Sequence, residues 1–420
     1  MGRRSIRRTP RPRSALSFTT TYANPDGTES YRQSTEPLNV KDDRGRWQPI
    51  EVDLETDRSG RAKADRHPLS PSFAATADDP NLVQVSVGEK TASLALENAP
   101  RGRKALVDGQ KAEYADVVGS ADLEYEVTPG SVKETIVLDR APARGKASWR
   151  FTLRTDGLTP RLGEEGTVEL VDADGGVPIV LPPIETWDSS GKGTEPPAFT
   201  GGTYGLKQTG DKWVLTVSVD EAWLHAPERV YPVSVDPTFT YNTADSRAYR
   251  SNGYTCTNCG VKIGNSLSNG DSYNRTAVKF DYSALWGKNV VGAQVDVARI
   301  NPTTFQKAWE ATIHHATALN YNGVGQLLGT GVVGDVGRLT GPALTQFVRD
   351  RVNARALSAY YMLVGTERSG VGTYKNLTAT MTIDVGSAAP APVMTAPAND
   401  AVLTSLTPTL SVNPVTDPDA

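Results

Sequence analysis

Tyr231-Pro232-Val233-Ser234-Val235-Asp236-Pro237-Thr238 closes one β-patterned region and opens another. Just before it, Lys212-Trp213-Val214-Leu215-Thr216-Val217-Ser218-Val219-Asp220 places Trp213, Leu215, Val217 and Val219 on one face of a strand. That period of two is the mark of a half-buried sheet. Well after it, Leu377-Thr378-Ala379-Thr380-Met381-Thr382-Ile383-Asp384-Val385 alternates without a break, with Thr378, Thr380 and Thr382 expected on the wet face. Two sheet-forming regions on either side of a Pro-bounded phrase predict a module boundary near Asp236.

The composition points the same way. Turn formers are abundant, 38 Gly and 28 Pro in 420 residues, while long helical apolar runs are scarce. Many short antiparallel strands joined by turns satisfy that pattern, so the expected fold is all-β, multidomain, with antiparallel, jelly-roll-like sandwich modules and little helix. The length calls for more than one core. Residues 1–20 are expected to be a disordered basic tail, 21–236 a β-rich amino-terminal region, and 237–386 a β-sandwich of ordinary size. After the Pro/Ala linker Ser387-Ala388-Ala389-Pro390-Ala391-Pro392, residues up to 420 are expected to begin an immunoglobulin or fibronectin type III-like domain that the chain leaves incomplete. One short helix is expected near Pro342–Arg351, where Leu344, Phe347 and Val348 fall at i, i+3 and i+4 with Thr340 as the candidate N-cap.

The net charge of −4 conceals an uneven distribution. Arg3, Arg4, Arg7, Arg8, Arg11 and Arg13 all precede the first acid, Asp26, so the body is more acidic than the total shows. Clustered arginine suits phosphate, but at a chain end it also suits a solvated tail, which is the expectation here. No apolar run is long enough for a membrane span.

Chemistry-bearing motifs are sparse. The sequence lacks a Gly-x-Ser-x-Gly elbow, a His-Glu-x-x-His helix and a phosphate-binding P-loop. Of the four histidines, His67, His225, His314 and His315, none sits beside a recognisable nucleophile. Asp172-Ala173-Asp174-Gly175 starts like a calcium loop, but its twelfth position is Pro183, so a hairpin turn is the better reading. Cys256 and Cys259 stand as Cys-x-x-Cys among Ser, Asn, Gly and Thr. A local disulfide is expected, with a redox pair or a zinc site completed by His314 or His315 as alternatives. Tyr254, Tyr273, Tyr282, Trp286, Trp309 and Tyr321 are candidates for a sugar-stacking face, with packing as the ordinary alternative.

From Asp245 to Val385 the chain resembles the DNRLRE domain of secreted bacterial proteins. The likeness rests on Ala244-Asp245-Ser246-Arg247, Arg275-Thr276-Ala277-Val278-Lys279-Phe280-Asp281-Tyr282-Ser283-Ala284-Leu285 and Val291-Gly292-Ala293-Gln294-Val295. Upstream, Tyr22-Ala23-Asn24-Pro25-Asp26-Gly27-Thr28, Gly45-Arg46-Trp47-Gln48-Pro49-Ile50 and Gly157-Leu158-Thr159-Pro160-Arg161-Leu162 are similar to the front of actinobacterial RHS/YD-repeat wall-associated proteins. The resemblance implies an extracellular or cell-wall location and a structural or display segment, non-catalytic and without cofactor, of a secreted protein of polymorphic-toxin type. Its expected partners are a cell-wall or extracellular polysaccharide and the carboxy-terminal remainder of the same protein, with no nucleic acid. The alternatives are a carbohydrate-binding accessory region of a secreted hydrolase and a hydrolase with its active site between Tyr22 and Asp236.

Overall fold

The computed structural model describes residues 11–118, 121–163, 166–191, 197–241, 246–267, 270–300 and 307–386, with shorter pieces at 393–397, 401–403, 405 and 407–414. The architecture is all-β and multidomain, built from antiparallel ladders. Expectations that fall on residues 1–10, on Ala244-Asp245 and on the linker 387–392 lie outside the described residues.

The first lobe closes its ladder into a barrel, which period-two alternation alone does not specify. Ser131–Leu138 pairs with Ala121–Thr128 on one side, and on the other with Val233–Asp236 and then Phe239–Tyr241. Leu123, Tyr125 and Val127 alternate inward from one strand, and Leu215, Val217 and Val219 from another. Phe73, Phe151 and Phe239 are fully buried in the same core. Each such ring contributes about 1.5–3 kcal/mol through burial alone.

The opening phrase is therefore not a seam. Val233, Val235 and Phe239 are completely buried in the first lobe, which extends through Tyr241 rather than ending at Asp236. The alternation was legible in the sequence. Its sheet partners, about a hundred residues earlier in the chain, were not.

The second lobe is a 13-stranded sheet with its own core. Lys375–Gly386 is its central ladder, bonded along its length to Asn289–Arg299. On its other side lies Glu29–Ser34, with Tyr31 opposite Ile383, and Tyr31 is buried in the second core. Thr19–Ala23 and Arg11–Leu16 continue the sheet outward. This corrects two expectations. The backbone from Arg11 is strand rather than tail, and residues 11–34 belong to the second lobe rather than to the region that follows them in sequence. Thr382, expected on the wet face, is buried because Arg32 and Gln294 flank it across the ladder on both sides.

The helix Pro342–Asn353 buries Leu344, Phe347, Val348 and Val352. Thr340 is not its cap. It ends the strand Val336–Thr340, and Gly341 occupies the cap position without a side-chain hydrogen bond. Beyond the second lobe, Met394–Ala396 pairs with Ser411–Val412 as a small separate sheet. Among the described residues no helix is long and apolar enough to cross a membrane.

Candidate functional site

A cluster of buried polar side chains lies where the lobes meet. Strand Val261–Asn265 of the second lobe pairs with both Tyr273–Asp281 and Lys375–Gly386. Its Lys262 is fixed by Thr276, whose hydroxyl accepts from the Lys262 N–H and donates to the Lys262 carbonyl, each at 2.8 Å. Held in this way, Lys262 Nζ donates to Glu185 Oε1 of the first lobe at 2.5 Å. The Tyr374 hydroxyl donates to the same oxygen at 2.8 Å. Burial pushes the Glu185 carboxyl upward, but the Lys262 charge and the two hydrogen bonds outweigh it and leave Glu185 below its ordinary range.

Two hollows share this pair. A cavity of about 90 Å³ is lined by Glu36, Lys133, Asp236 and Asn376 together with Glu185 and Lys262. A cavity of that size suits water or a small ion. Burial holds the Glu36 carboxyl up at about 7. Lys133 Nζ stands 3.6 Å from Asp236 and over the Trp187 ring. Asp236 is raised by burial, an effect Lys133 reduces without cancelling.

The second hollow is an open cleft of about 490 Å³, within the roughly 300–1,000 Å³ range of small-molecule sites. Phe199, Tyr204, Tyr254 and Arg250 line it, with Gly201 and Gly202 in its wall. A Cβ at Gly202 would meet Ile184 Cγ2 at 2.7 Å and the Ser218 carbonyl at 2.8 Å, so the wall admits only glycine there. Arg250 ends the strand Ser246–Arg250. A tight turn through Gly253, at φ +89°, folds Tyr254 back until its carbonyl accepts the Arg250 N–H. The guanidinium then lies 4.8 Å from the Tyr254 ring centroid, and its Nε donates to Asn274 Oδ1 at 3.3 Å.

The first lobe also buries a carboxyl. In Val132-Lys133-Glu134-Thr135-Ile136, Glu134 takes the inward phase between Val132 and Ile136 and has no exposed surface. The buried Tyr125 hydroxyl is the polar group that reaches it, and that contact lowers the carboxyl only slightly, while the Tyr204 hydroxyl is buried without a hydrogen-bond partner among the described residues. Burial, then repulsion from Asp236, raises Glu134 to about 8. It is therefore a neutral acid at pH 7.

The motifs singled out in the sequence lie apart from one another. Cys256 and Cys259 are bonded to each other, and Cys259 lines the smaller cavity. His314 contacts the Gly325 carbonyl and the Thr312 hydroxyl, while His315 packs on Phe347. Among the described residues no three His, Cys, Asp or Glu side chains converge as metal ligands. His67 is buried, accepts the Leu69 N–H at Nδ1 and so donates from Nε2 to the Thr128 carbonyl. Asp172 accepts the N–H groups of Asp174 and Gly176 and binds Lys90 at 2.5 Å, which makes it the anchor of a turn. Of the six aromatics, Tyr282 is in the core, Trp286 is exposed, Tyr321 lies under Arg275, and only Tyr254 lines the cleft. Sequence reading missed Arg250, Glu185, Lys262 and Glu134. Only Glu134 left a signal, a charged residue in the apolar phase of a strand.

Fold and cleft together define an all-β, multidomain protein with a polar site between its lobes. No family model matches the chain. Three curated relatives do. Over 254 residues it is 26% identical to "tRNA nuclease WapA" of Bacillus subtilis (strain 168), an alignment covering 56% of this chain and 11% of the relative. It is likewise 26% identical to "tRNA(Glu)-specific nuclease WapA" of Bacillus subtilis subsp. natto (strain BEST195), covering 56% of this chain and 10% of the relative. To "tRNA3(Ser)-specific nuclease WapA" of Bacillus spizizenii it is 25% identical, with 56% of this chain and 11% of the relative covered. The chain thus spans about a tenth of the length of the curated relatives it matches. These names correct two expectations, a protein that is not an enzyme and a partner set without nucleic acid. All three relatives are named as nucleases that act on tRNA.

Proposed function

We propose that this chain is the two-lobed β frame of a larger nuclease of toxin type, acting on tRNA and displayed outside the cell or on its wall. The observation that carries the reading is the 254-residue alignment with three relatives named as tRNA nucleases. The fold supports it. The barrel and the 13-stranded sheet are tied by a buried ion pair and by the chain itself, whose amino-terminal strands lie in the sheet while the residues that follow them build the barrel. A frame locked in this way holds whatever is joined to it at a fixed orientation, which suits display at a surface. Within it, residues 237–386 are the part read as the DNRLRE-like module of an RHS-type protein.

The test is to produce the protein in its native host and assay both the wall fraction and the purified full-length chain for cleavage of bulk tRNA on denaturing gels. Recovery in the wall or culture fraction, with tRNA cleavage, supports the reading. A protein confined to the cytoplasm, or one that leaves tRNA intact, overturns it.

A further inference from the structure

Arg250 holds an unused binding fork. Its Nε is engaged by Asn274 and its plane rests against Tyr254, yet neither Nη1 nor Nη2 makes a hydrogen bond among the described residues. A guanidinium fixed at Nε and stacked on one face has lost much of its rotamer freedom already, so it can grip an oxyanion at low entropic cost. The cleft it lines is large enough for one or two sugar rings and carries the aromatic surfaces of Phe199 and Tyr254. We propose that this cleft is a binding site for an anionic saccharide, with the carboxylate or phosphate of the sugar held by the Arg250 fork and its ring set against the aromatic wall.

Charge decides between this ligand and a polynucleotide. The cleft's other cation, Lys262, is already neutralised by Glu185. Among the described residues lining the cleft, Arg250 is then the one cation without a hydrogen-bonded carboxylate, although Glu185 also feels its charge, and the chain carries a net charge of −4. A nucleic-acid face needs several basic side chains spaced along successive phosphates. One bidentate fork beside a pair of aromatic rings is the arrangement for a discrete anion on a ring. The proposal is independent of any nuclease activity of the whole protein.

Calorimetric titration of the intact chain decides it, with a galacturonate oligomer, glucose 6-phosphate, an uncharged galactose oligomer and a single-stranded RNA oligonucleotide as probes. At least one anionic saccharide should bind, and the arm that binds identifies the anion as carboxylate or phosphate. Arg250→Gln should weaken that binding by about tenfold or more, and Arg250→Lys, which keeps the charge but loses the fork, by a smaller factor. The melting temperature of each variant shows whether the fold survives the change. Failure of both anionic saccharides to bind overturns the proposal, as does binding unchanged in a folded Arg250→Gln protein. Preference for the RNA, lost in the same variant, replaces the saccharide with a polynucleotide.

Discussion

Lys262 Nζ and Glu185 Oε1 lie 2.5 Å apart across the junction of two separately cored lobes, each side chain nearly closed to solvent. A pair buried to this degree adds little net stability compared with apolar packing, because both ions give up their hydration. Loss of one partner is a different matter, since the other is then stranded.

Lys262→Met should therefore destabilise the protein by about 3 kcal/mol, and joint replacement with Glu185→Gln should recover part of the loss. Urea unfolding followed by tryptophan fluorescence measures both. Equal midpoints for wild type and Lys262→Met would mean that the pair does not couple the lobes.

Deleting residues 1–34 should damage the second lobe, although it spares every residue of residues 237–386. The deletion strips Glu29–Ser34 from the central strand Lys375–Gly386 and removes Tyr31 from the core. A long apolar strand left with a bare edge pairs with other chains. The expected outcome is self-association in analytical ultracentrifugation, with a lower melting temperature. A monomeric, equally stable truncation would show that the pairing is dispensable.

The pH dependence of stability should carry the signature of Glu134. Its carboxyl titrates at about 8 in the fold against an ordinary value of 4.5, so its contribution is complete below pH 4.5 and is lost as pH rises through about 8. Glu134→Gln, a neutral isostere, should match wild type near pH 4.5 and exceed it at pH 9, by on the order of a few kcal/mol. His67 acts at the other end of the range. Burial lowers it from 6.5 to about 4, so its contribution is complete above pH 6.5 and is lost as pH falls through about 4. Denaturant titrations of wild type and Glu134→Gln between pH 4 and 9 separate the two effects, since the His67 contribution is common to both proteins.

Thiol titration of the unreduced protein should find no free sulfhydryl at Cys256 or Cys259, which the structure joins. The bridge closes a very short loop, so its loss should cost about 2 kcal/mol at most. Two reactive thiols in the native protein would refute the bond, and a larger loss on Cys256→Ala/Cys259→Ala would give it a role beyond stapling its own turn.

What the sequence determined by itself was local and periodic. Alternation at Trp213–Val219 and Leu377–Val385, frequent Gly and Pro, and the i, i+3, i+4 spacing at Leu344, Phe347 and Val348 fix the all-β class and the helix at Pro342–Asn353, because each depends only on which face a side chain meets. Glu134 left a signal of the same kind, a charge in the apolar phase of a strand, but it was not read from the sequence. Tertiary structure alone decided that Ser131–Leu138 pairs with Val233–Asp236, that Tyr31 crosses into the core of residues 261–385, and that Arg250, Lys262 and Glu185 line one cleft. Strand pairing is set by backbone hydrogen bonds, which every residue but proline can make, so a strand's sequence shows its buried face but not the distant neighbour that completes it.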